Sequence, residues 1–386
     1  MRHAAAVGVL LVGLGAACST TSPATTPTPS ADAGLEAAAS LDAGPEPGRD
    51  AEALDAATET SNALRVFGRK GDLTDDALPP SGPGIVLDGG FEGAVTRTWI
   101  HTTVSGGAAS RGDVVVLTPQ ASDGAASWVQ IASFHSAQTV ALLDGATTAD
   151  YRAAAAIVAG AEVVWFTGGD QAKYVAWKGT PLMAAVQGVY DRGGVVGGSS
   201  AGMIILGSSV NDATKTLSEN ITTKLAVADP YDPVIHFTQD ILRLGPLGRC
   251  ITDPHFIGRD RMGRLGMFMA RQVKDGFATP DVLGIGVDDG AALAIDKNGI
   301  GRRLADGAAP GVYVVKGGAP DVAQSGQPLV YGALRVVKLA GSNDSYDFAR
   351  RCGNGAAQTF GIDGNALPPY PAGVYAAGAE TETCPP

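Results

Sequence analysis

Histidine is scarce in this chain: there are five in 386 residues, His3, His101, His135, His236 and His255. Imidazole chemistry therefore has few bearers. With no H-x-x-x-H or C-x-x-C spacing anywhere, the sequence calls for no metal centre and no cofactor. Positive charge is also short, with 28 Lys and Arg against 39 Asp and Glu for a net −11. Residues 31–60 hold eight of those acids against Arg49 alone; setting aside their −7 and the +1 of Arg2 leaves −5 for residues 61–386. That part is mildly acidic and lacks the basic footprint that nucleic acid requires. Long apolar runs are missing too. The uncharged stretch 4–17 covers 14 residues, short of the roughly 20 that span a bilayer as a helix.

What is present begins with an export pattern. Met1-Arg2-His3 followed by that short apolar run reads as a secretory signal, and the run ends in LGAAC at Cys18. A Cys directly after small residues is the form of a bacterial lipoprotein site, which would make a lipid on Cys18 the only membrane contact. Gly15 and Ala17 equally suit ordinary signal cleavage, so residues 1–18 are expected to be a signal of one kind or the other. Residues 19–78, rich in Ala, Thr, Pro, Ser and acids, cannot offset their ordering entropy by burial and read as a solvated tether. An exported protein tolerates a disulfide. Among the four cysteines Cys352–Cys384 is the favoured pairing, with Cys250 inside an apolar run.

From about residue 79 the pattern becomes short β-branched runs closed by Gly, Pro or Asp, alternating with Ala-rich segments of helical character. Strands are expected in 84–90, 113–119, 139–144, 161–169, 193–198, 250–256, 282–289 and 311–317. Helices are expected near 121–135, 148–160, 171–191, 201–208 and 258–276. Runs that are apolar on both faces demand a sheet covered on both sides, so a mostly parallel α/β sandwich over 79–340 follows, with its site at the C-terminal strand ends. Residues 341–386 form a Gly-, Ala- and Pro-rich extension that the Cys352–Cys384 bond would tie.

One knot in this pattern is polar and sterically small: VVGGSSAGMI at 195–204. GSSAG matches G-x-S-x-G with Ser200 at its centre, between a strand and a helix. Such a turn strains the backbone, needs small neighbours and aims the hydroxyl out of the sheet, while the next amide, that of Ala201, faces a developing oxyanion. A nucleophilic serine needs a base. His255 closes the run CITDPHF at a strand's C-terminal end, and His236 is its competitor. For the orienting acid, the order Ser–Asp–His leaves Asp253, Asp229, Asp232 or Asp240, whereas Asp288 and Asp289 end another expected strand.

Four separated segments, FTGGDQ (166–171), GGSSAG (197–202), DPHF with RDRMGRLG (253–266) and GIGVDD (284–289), resemble in order the cyanophycinase family of serine peptidases, which includes aspartyl dipeptidase. The resemblance covers roughly residues 82–320. It implies a flavodoxin-like or class I glutamine-amidotransferase-like α/β fold, with Ser200 as nucleophile and His255 as base. Its third member falls on Asp289, where the family carries glutamate; Asp288 is the alternative. Gly169 and Asp170 would complete the oxyanion site begun by Ala201. Gln171, Asp253, Arg259, Arg261 and Arg264 would face substrate, the arginines suiting carboxylates. Pro254 stands where cyanophycinase has glutamine, so one pocket group is missing. The implied substrate is cyanophycin, a poly-aspartate bearing arginine on each β-carboxyl, released as β-Asp-Arg dipeptides. Relatives are commonly homodimers. Rival readings are a dipeptidase of aspartyl or isoaspartyl peptides and a non-catalytic binding module. A lipase-type hydrolase is disfavoured because no histidine follows residue 255.

Overall fold

The computed structural model describes residues 60–384 apart from 77–79, 91, 92, 109, 110, 308, 309 and 377. The export signal and most of the expected tether lie outside the described residues. The architecture is α/β, built on two mixed sheets.

In the first sheet five strands run parallel, in the spatial order Ser136–Leu142, Asp113–Thr118, Val163–Phe166, Val195–Ser199 and Gly84–Asp88. Alternate residues serve different layers: Ile85 and Leu87 join the larger core, while Val86 faces the helices Ala94–Ser105 and Ala126–Ala132. This double burial explains why these segments are nearly continuous in Val, Ile and Leu. Antiparallel strands extend the sheet at both margins, Leu64–Val66 on Ser136–Leu142 and Ala291–Ile295 on Gly84–Asp88.

The second sheet departs from the expected parallel pattern. Only Ser209–Asn211, Cys250–Asp253 and Leu283–Val287 are mutually parallel; Val312–Lys316, Val330–Leu339 and Ala356–Asp363 continue it antiparallel. Helix Met262–Lys274 covers its outer face. Leu283, Ile285 and Val287 belong to the same core as Ile85 and Leu87, so the two sheets share one interior.

The boundaries expected at residues 79 and 340 do not coincide with breaks in the fold. Leu64–Val66 and Lys70–Gly71 already pair with Ser136–Leu142. Ala356–Asp363 forms a long ladder with Val330–Leu339, so residues after 340 are integral to the second sheet. Cys352 and Cys384 are disulfide-bonded, and Cys250 is free and buried.

Candidate active site

Strand Val195–Ser199 delivers Ser200 at φ 54° and ψ −112°, a left-handed conformation for a side chain that does not favour it, and helix Ala201–Ile204 follows at once. Strain of this kind persists only where the surroundings over-determine it. Here the constraint is close packing. A Cβ on Gly198 would lie 2.5 Å from the Gly202 carbonyl carbon, and one on Gly202 would lie 2.2 Å from the Phe166 carbonyl oxygen. The Ser200 amide is held by the Asp88 carbonyl at 3.0 Å.

His255 arrives from the other sheet, two residues beyond the end of Cys250–Asp253, at φ 50°. Its amide bonds the Gly89 carbonyl at 3.0 Å, and that of Phe256 bonds the Val287 carbonyl at 3.2 Å, which fixes the turn to both sheets. His255 Nε2 lies 2.7 Å from Ser200 Oγ. On the far side of the ring, Nδ1 is hydrogen-bonded to Asp289 Oδ1. Burial holds the imidazole below its ordinary value of 6.5, and the Asp289 carboxylate acts in the opposite direction. A neutral ring between a hydroxyl and a carboxylate is equipped to accept a proton.

Of the two candidate acids, Asp289 is the one on the imidazole. Asp288 turns away: its oxygens accept the Ile257 amide at 3.0 Å and the Gly311 amide at 2.8 Å, and burial raises its pKa. His236 lines a separate surface depression with Tyr231 and Arg271. Among the earlier aspartates, Asp229 and Asp232 are spent on local turns, accepting the amides of Tyr231 and Val234.

Ser200 and His255 open into a cleft of about 290 Å³ whose walls include Gly169, Asp170, Ala201, Leu217 and Arg259. The Gly168–Gly169 turn lies against the serine, with the Cβ position of Gly168 3.4 Å from Ser200 Cβ. Among the described residues, neither the Gly169 nor the Asp170 amide is bonded to a backbone carbonyl. Asp170 instead caps the helix Gln171–Val175 by accepting the Ala172 amide at 3.0 Å.

Three residues expected to face substrate do not do so freely. Asp253 is fully buried; Arg261 and Arg264 occupy its Oδ1 at 3.1 and 2.6 Å, and Arg264 Nε donates to Oδ2 at 2.8 Å. Arg264 is spent further on the carbonyls of Ser218 and Ile221. Arg261 reaches the cleft wall but donates to the Pro254 carbonyl at 2.7 Å. These three build the cleft, as a satisfied ion cluster must when it is removed from water. Gln171 lines the cleft yet is buried, its amide donating to the Asn211 carbonyl at 3.3 Å. Arg259 is exposed in the cleft and, among the described residues, makes no ion pair.

Two residues escaped the sequence reading. Asp88 Oδ1 accepts both Ser199 Oγ and the Gly90 amide at 3.0 Å, joining the serine-bearing strand to the loop beside His255. Its signal was the DGG that ends the first parallel strand. Gln120, after another strand end, places Nε2 2.8 Å from the Cβ position of Gly169 and lines the cleft.

No family model matches the chain, and no curated protein matches it. Among solved structures, a peptidase from an acI-B1 Actinobacterium is similar at 14% identity and TM-score 0.44, over 70% of this chain and 98% of that one. A proposed peptidase E from Listeria monocytogenes EGD-e is similar at 13% identity and TM-score 0.37, over 58% and 100%. At these scores the likeness is general.

Proposed function

We propose that the chain is a serine-type hydrolase of peptide bonds next to aspartyl groups. The observation that carries this reading is the Ser200–His255–Asp289 relay, in which one imidazole touches a strained serine on one nitrogen and a carboxylate on the other. In the reaction His255 Nε2 takes the Ser200 proton as Oγ attacks the carbonyl carbon. The amides of Ala201 and of Gly169 or Asp170 receive the oxyanion, each such donor contributing about 3 kcal/mol. His255 then protonates the leaving amine, and water, giving its proton to His255, releases the acyl group.

For the substrate we favour cyanophycin, cut to β-Asp-Arg. Arg259, open in the cleft, supports recognition of a carboxylate. We also propose that the protein is exported, tethered by residues 19–60 and anchored by a lipid on Cys18. A fluorophosphonate probe should label the protein and spare Ser200→Ala. Absence of labelling would remove the hydrolase reading. Chromatography of digests should give β-Asp-Arg from cyanophycin granules; cleavage of Asp-X dipeptides alone would assign the activity to a dipeptidase.

A further inference from the structure

Beside the cleft lies a second open cavity of about 430 Å³, and Arg259 lines both. Its walls are the segment 222–228 on one side and the segment 364–369, Gly-Asn-Ala-Leu-Pro-Pro, on the other. The second wall belongs to the C-terminal part of the chain that the catalytic relay does not use.

That wall is fixed in place. The Gly364 amide donates to the Leu329 carbonyl at 2.7 Å and the Asp363 amide to the Pro369 carbonyl at 2.8 Å. Immediately after the segment, Tyr370 donates its hydroxyl to Asp260 Oδ1 at 2.5 Å. Tyr375 donates to the same oxygen at 2.9 Å and accepts the Met262 amide at 2.8 Å. The turn that carries Arg259 is thereby tied to the C-terminal segment, and both cavities share it.

The chemistry of the cavity is mixed and directional. Lys224 and Arg259 are exposed and, among the described residues, make no ion pair. The one carboxylate in the lining, Asp260, already accepts two tyrosine hydroxyls. Leu367, 85% exposed, and the two prolines beside it offer an apolar rail without side-chain donors. Two unpaired cations along an apolar rail that starts at a cleft open to peptide suit an extended chain bearing carboxylates.

We propose that this cavity is a subsite for a polypeptide bearing free carboxylates along its length, holding the part of the substrate that continues past Arg259 from the bond at Ser200. The inference rests on the hydrolase reading and adds that substrates longer than a dipeptide are preferred, with Lys224 reading a carboxylate away from the cut.

The test is binding of fluorescein-labelled hexa-aspartate to the protein carrying Ser200→Ala, followed by anisotropy, with labelled hexa-serine as the control. Hexa-aspartate should bind and hexa-serine should not. Lys224→Glu should weaken binding by about ten-fold, equivalent to about 1.4 kcal/mol, and Lys224→Arg should restore it. Equal binding of the two peptides, no binding of hexa-aspartate, or unchanged affinity in Lys224→Glu would overturn the proposal. Fluorophosphonate labelling of Lys224→Glu with Ser200 intact should match that of the unaltered protein. Failure of labelling in the unaltered protein would count against the hydrolase reading alone, because the binding measurement does not depend on turnover.

Discussion

Replacing Asp289 by Asn separates the relay from its alternatives. The substitution keeps the side chain's size and leaves an oxygen that can still accept from His255 Nδ1, but it removes the charge that stabilises the imidazolium formed when Ser200 gives up its proton. A hydrogen bond to a charged group is worth about 1.5–3 kcal/mol. Asp289 is half exposed, with 50% of its side chain open to solvent, so the lower part of that range applies. About 2 kcal/mol corresponds to roughly a 30-fold slower acylation. The rate of fluorophosphonate labelling reads this step without requiring a known substrate. The pH profile supplies a second signature. Burial lowers the His255 pKa and Asp289 raises it, so the acid limb of the native protein should fall below pH 6.5, and loss of Asp289 should move it lower still. Asp288→Asn is the control, because that carboxylate serves the Ile257 and Gly311 amides and should affect stability before chemistry. An unchanged rate in Asp289→Asn together with a lost rate in Asp288→Asn, or an acid limb that moves upward, would refute the assignment.

Gly90→Ala should lower the labelling rate more than 100-fold while the protein stays folded by circular dichroism. At φ 152° its new Cβ would lie 2.4 Å from Asp289 Oδ1 and 2.7 Å from His255 Cε1, so retained labelling would mean the relay is not needed. Cys384→Ser opens a loop with a sequence separation of 32 and should cost about 3–4 kcal/mol in denaturant unfolding, by the loop-entropy relation. Glu162, beneath the parallel strands, is pushed up to about 7, chiefly by burial and further by Asp113, Asp76 and Asp75. An acid whose folded value is raised favours folding when protonated, so stability should decline as pH rises from 4.5 through about 7. Glu162→Gln should flatten that decline in thermal melts at pH 5 and pH 8; an unaltered slope would exclude Glu162 as its source.

The strands at 84–88, 113–118, 163–166 and 283–287 were legible because burial on both faces leaves unbroken β-branched runs. The helix Ala94–Ser105 was not, since its buried side includes Thr96 and Arg97 and blurs the apolar stripe. The expected helix 171–191 is two helices, because Thr180–Pro181 starts a new one. Ala291–Ile295 escaped because an Ala-rich run carries no strand signature. In the site, Ser200 and His255 were readable from their strand-end positions. Asp253, which the resemblance placed toward substrate, is instead the last residue of its strand and is fully buried against Arg261 and Arg264. The resemblance placed Arg264 toward substrate, yet ten of the residues in Met262–Lys274 are buried, Arg264 among them, and its guanidinium is spent on Asp253.

Ser200 hangs from one sheet and His255 follows a strand of the other, so the 2.7 Å contact between them joins two separately paired ladders. Sliding one ladder past the other by a fraction of an ångström would uncouple proton transfer long before either lost its backbone pairing. Mild urea or gentle warming should therefore silence Ser200 at doses that leave far-ultraviolet dichroism untouched, which makes labelling a gauge of how tightly the two halves are mated.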